Sequence, residues 1–110
     1  MDMHKQNWSD VSGEVMSIDA IRSMHSPSDG YRVSPTKYEP RKIFPVAIGY
    51  PLTVYVLRGV CTYRLDEQEL TLRSGEFSSF AKGSYEFEVV GDEEVQIVTV
   101  FQLLNVATKN

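Results

Sequence analysis

Apart from its 15 carboxylates, few side chains in this chain of 110 residues can move protons, attack carbonyls or hold metals near neutral pH. It has two histidines, His4 and His25, one cysteine, Cys61, and six tyrosines. Cys61 lies in "GVCTYRL" among apolar and β-branched neighbours, with no histidine close in sequence. Nothing there raises its thiolate fraction, so it reads as a small buried hydrophobe and not as a nucleophile. Tyrosine offers a pocket both apolar area and a hydroxyl tip. Tyr55 and Tyr63, which flank Gly59, are the preferred ligand-binding candidates, and Tyr38 joins them. Strand preference alone also places aromatics in such positions. Arg32, Lys37, Arg41 and Lys42 form a loose basic group. They could meet a ligand phosphate or carboxylate, with Arg32 as the candidate, or simply balance the acidic stretches "DEQE" and "GDEE". No phosphate loop, nucleophile elbow or zinc-finger spacing occurs.

The elements that must position these groups are short strands. "YRVSPTKY" is extended, and Pro35 within it points to an edge or a bulge. "LTVYVLRG", "VCTYRL", "ELTLRSG", "EFSSFAKG", "SYEFEVVG" and "VQIVTVFQLLNV" follow, rich in β-branched and aromatic residues. Glycines at 59, 75, 83 and 91 punctuate the series at intervals of 16, 8 and 8. That rhythm indicates an all-β sandwich or barrel. Alternation is plain in one strand, where Tyr85, Phe87 and Val89 oppose Glu86 and Glu88. Ahead of the barrel, "GEVMSIDAIRSM" suggests a short strand and a helical turn anchored by Val15, Ile18 and Ile21. "HSPSDG" then breaks it.

From Tyr31 to Leu103 the chain resembles the cupin family. Gly59 stands where that family's first motif ends, Gly75 where the second begins, and Gly83 at the second motif's inner glycine. The resemblance implies an all-β, cupin-type double-stranded β-helix (jelly-roll) barrel with a short N-terminal extension. Residues 1–30 would be the extension packing on the barrel, 31–104 the barrel and 105–110 a tail. It also assigns glycine φ values above zero at the turns. The family's metal-ligand positions are filled by other residues. Its first-motif histidines fall on Val46 and Ile48, or on Pro45 and Ala47, its glutamate on Leu52, and its second-motif histidine on Glu86. One carboxylate cannot hold a divalent transition metal, so no metal and no other cofactor is expected. In the same register Glu86 points into the barrel mouth. A carboxylate among apolar neighbours there would have a raised pKa and could act as the catalytic acid or base. Solvation at the rim, paired with Arg or Lys, is its plainer reading.

The totals narrow the classes. The length fits one domain. A net charge of −4 with scattered Lys and Arg argues against nucleic acid. A lone cysteine rules out an internal disulfide and suits a reducing compartment. "MDMHKQNWSD" is no leader, and no apolar run spans a bilayer, so a cytoplasmic protein without membrane contact is expected. Three functions compete. One is metal-independent acid–base chemistry of epimerase, isomerase or dehydratase type on a sugar- or nucleoside-like substrate. The others are a non-catalytic ligand sensor and an inhibitor- or immunity-type interaction module. A homodimer is expected, with Trp8 and the apolar last strands as material for exchange or sheet packing.

Overall fold

The computed structural model describes residues 4–25 and 30–102. The expected tail at 105–110 lies outside them, as does most of "HSPSDG". Nine strands and one helix follow in chain order among the described residues. They are β1 (Gln6–Asn7), α1 (Ile18–Met24), β2 (Tyr31–Tyr38), β3 (Ile43–Ile48), β4 (Leu52–Arg58), β5 (Val60–Leu65), β6 (Gln68–Arg73), β7 (Glu76–Phe80), β8 (Gly83–Val90) and β9 (Val95–Gln102). Two antiparallel sheets face each other, one ordered β1-β7-β4-β9-β2 and the other β3-β8-β5-β6. Apart from the β5–β6 hairpin, each connection from β2 to β9 carries the chain from one sheet to the other. That crossing is what closes the jelly roll.

Side-chain alternation then sorts each strand into an inner and an outer face. Inward from the four-stranded sheet come Phe44, Val46 and Ile48 on β3, Cys61 and Tyr63 on β5, Leu72 on β6, and Tyr85, Phe87 and Val89 on β8. Val54, Val56, Phe80, Val95 and Ile97 meet them from the five-stranded sheet. A second cluster lies outside the five-stranded sheet, where Tyr55, Phe77, Val98 and Val100 pack under Trp8, Ala20 and Ile21.

The N-terminal segment makes that second cluster. β1 pairs with β7, so the segment contributes an edge strand. A 3-10 turn at Trp8–Asp10 then sets Trp8 over the sheet, 4% exposed. Its indole Nε1 donates to the Glu14 carbonyl at 2.7 Å, and its ring meets Tyr55 edge-on at 5.8 Å. Ser17 caps α1 by accepting from the Ala20 amide at 3.0 Å, which satisfies one of the helix's orphan donors. Val15, expected as an anchor, is 86% exposed, and residues 13–17 form no strand ahead of the helix; Met16, Ile18 and Ile21 anchor it instead. Trp8 is therefore spent on its own sheet.

Two glycines show different needs. Gly59 turns the chain between sheets at φ +83°, and a Cβ there would lie 2.6 Å from the Glu94 carbonyl oxygen. Only glycine fits both the left-handed backbone and that contact. Gly83, expected to share the positive φ, does not. It begins β8 opposite Ile48, with a Cβ position 3.4 Å from the Tyr85 ring.

Candidate functional site

At the end of the barrel formed by the β3–β4 connection, the two sheets leave a hollow of about 120 Å³. Tyr38, Val46, Ile48, Leu52, Tyr63 and Thr99 are among the side chains around it. A second hollow of about 150 Å³ adjoins it at the mouth, sharing Ala47, Ile48 and Leu52 and adding Gly49, Tyr50 and Phe101. The walls are aliphatic and aromatic, and the polar groups are hydroxyls. Neither hollow is lined by an acid, a base or a histidine. A larger hollow, about 530 Å³, lies outside the barrel between the Trp8 turn and Ser74–Gly75. Glu14 is its sole ionisable lining residue, and nothing there converges on a ligand.

An aromatic floor holds the tyrosines. Tyr63 packs on Phe80 at 4.4 Å and on Phe87 at 5.1 Å, and Tyr38 packs on Phe87 at 4.9 Å. Burial pushes the Tyr63 phenol well above its ordinary range, and the nearby Cys61 and Tyr38 add to the shift. Tyr38 is raised by burial first and by Cys61 second. Both phenols are neutral at physiological pH, able to donate and accept without charge. Burial pushes the Cys61 thiol up to about 12, which fits the inert role read from its neighbours.

The positions given to metal ligands now have places. Val46, Ile48 and Leu52 line one hollow together, so the fold brings the expected trio to a common point. Pro45 sits opposite Glu86 on the strand positions that alternate with Val46 and Tyr85, so it faces outward, and of the alternative pair only Ala47, with a methyl side chain, reaches the lining of the hollow. Three alkyl side chains offer no donor to a cation, and the residues do not fit a transition metal. Among the described residues no group of three His, Cys, Asp or Glu stands close enough to hold one.

The placement expected of Glu86 is corrected. It stands on the outer face of β8, half exposed, 3.1 Å from Arg64. Arg64 also meets Glu69 at 2.6 Å and Glu88 at 2.7 Å, which holds its guanidinium firmly protonated. Burying Tyr85, Phe87 and Val89 forces Glu86 to the other side. Tyr55 is corrected too. It lies outside the five-stranded sheet, stacked on Phe77 at 4.8 Å, with its hydroxyl 2.9 Å from His25 Nε2. Tyr38 and Tyr63 share the hollow, and Arg32 is an exposed β2 residue paired across the strands with Phe101 at the mouth. Thr99 and Phe101 carry no signal of their own in the sequence; both follow from the β9 alternation once Ile97 is known to face inward.

The chain matches no protein-family model and no curated protein sequence. Solved structures do match. The EutQ protein of Clostridium difficile is 16% identical with a TM-score of 0.60, over 94% of this chain and 69% of that one. A cupin-2 domain-containing protein of Shewanella frigidimarina is 17% identical with a TM-score of 0.58, over 80% of this chain and 94% of its own. An HTH_3 family transcriptional regulator of Vibrio cholerae is 17% identical with a TM-score of 0.59, over 71% of this chain. This chain spans 46% of that regulator's length. The fold is an all-β jelly roll, and it is the cupin fold. No helix among the described residues is long and apolar enough to cross a membrane.

Proposed function

We propose that this protein is a binding module that holds a compact, mainly apolar small molecule in the mouth of its barrel, without acid–base chemistry on it. The carrying observation is that Val46, Ile48 and Leu52 line one hollow together with two neutral tyrosines. Apolar cavities of about 150 Å³ take up molecules the size of benzene. Sites for drug-sized ligands run to about 300–1,000 Å³, so a nucleoside or a sugar is too large and too polar for these walls. With Glu86 on the outside, the epimerase- or isomerase-type reading has no carboxylate, histidine or lysine at the hollow, and its two phenols are held neutral by burial. One structural neighbour is a transcriptional regulator, and a regulatory role asks only for binding.

Benzyl alcohol, a ring with one hydroxyl, is the probe. Titrated into the full chain, it should shift the ring resonances of Tyr38 and Tyr63 saturably, and Leu52→Trp should abolish the effect while leaving the fold intact. Shifts that stay linear, or that persist unchanged in L52W, would reject the reading.

A further inference from the structure

We propose that Arg32 makes the barrel mouth selective for monoanions, so that the ligand is a small carboxylic acid with a compact apolar body. The inference rests on the binding reading above and adds the head group to it. Cross-strand partners on one face of an antiparallel pair stand about 5 Å apart at Cβ. The register of the five-stranded sheet therefore builds a row from Arg32 on β2 to Phe101 on β9, then Leu52 on β4, then Phe80 on β7. Phe101 and Leu52 both line the mouth hollow, so Arg32 is one side chain away from it. The next row inward runs Ser34, Thr99, Val54 and Ser78, which sets the Ser34 and Thr99 hydroxyls one row inward of Arg32.

β2 is the edge strand of its sheet, so no further strand covers Arg32 on that side. Among the described residues Arg32 takes part in no ion pair. The other basic residues of the sequence group are differently placed. Lys37 alternates to the face of Val33 and Val98, and Arg41 pairs with Asp92 at the opposite end of the barrel. Asp66 and Glu67 lie at the mouth end, but in the β5–β6 hairpin, with β8 between β5 and the β3 wall. Lys82, in the β7–β8 turn, is a second lysine or arginine at this end that takes part in no ion pair among the described residues, and it serves as the control. A guanidinium meets a carboxylate through two parallel donors, a geometry that a neutral alcohol cannot use.

The test compares benzoate with benzyl alcohol on the wild-type chain, Arg32→Gln and Lys82→Gln, by chemical-shift titration at low salt. Wild type should prefer benzoate. R32Q should weaken benzoate about fivefold, the scale of one exposed charge pair, and leave benzyl alcohol unchanged. K82Q should leave both unchanged. The preference should shrink at high salt. Equal benzoate affinity in R32Q and wild type, or parallel loss of both probes in R32Q, overturns the inference while the binding reading stands. Failure of both probes to saturate wild type overturns the two together.

Discussion

The two sheets share one interior and differ on their outer faces. Outside the five-stranded sheet, Tyr55, Phe77, Val98 and Val100 are apolar and roofed by Trp8 and α1. The four-stranded sheet has no such roof among the described residues, and its outer face carries Arg64 amid Glu69, Glu86 and Glu88, with Thr62 bonded to Thr71 at 2.8 Å. The difference teaches where the N-terminal segment belongs. It is the second layer that an apolar sheet face needs, and the charged face needs none.

Removing the roof tests this most severely. Trp8→Ala should cost about 3–5 kcal/mol, as for other buried tryptophans, measured as a lowered urea midpoint. A loss near zero would mean the roof contributes little. Tyr55→Phe removes the hydroxyl that meets His25 and should cost about 1 kcal/mol.

The same contact sets a pH dependence. Burial lowers the His25 pKa below 6.5, so the unfolded chain binds its proton first as pH falls. Stability from this group is present above 6.5 and declines as pH drops toward the folded value. His25→Asn should flatten that part of the stability–pH curve, and an unchanged slope would remove His25 from the account. Glu86→Gln comes last. Arg64 keeps two carboxylates, and the pair is exposed, so the change should stay within about 0.5 kcal/mol. A loss of several kcal/mol there would erase the contrast between the faces.

These faces also explain what could be read from the chain alone. All seven strand readings from Tyr31 onward coincide with strands of the fold, and Pro35 sits on an edge strand as its missing donor requires. β3 is absent from the strand readings; "IFPVAI" carries Pro45 at its centre, which only an edge strand such as β3 tolerates. The alternation of β8 already put Glu86 opposite the apolar set, and the motif register drew it inward against that pattern. Periodicity was the better guide because burying three large side chains outweighs a spacing rule. Tyr55 was harder. β4 is apolar on both faces, Val54 and Val56 inward, Tyr55 and Leu57 outward, so period-two patterning gives no direction. On β5 the polar partners Thr62 and Arg64 mark the outside, which is why Tyr63 was legible.

The central claim is that the point where this fold could gather metal ligands is instead a hollow walled there by alkyl side chains. Xenon pressurised into crystals of the full chain tests it most directly, since such hollows take up the gas without any polar partner. The account predicts one xenon peak among Val46, Ile48, Leu52 and Val54. An ordered cation or a cluster of bonded waters at that point, with no xenon, would contradict it.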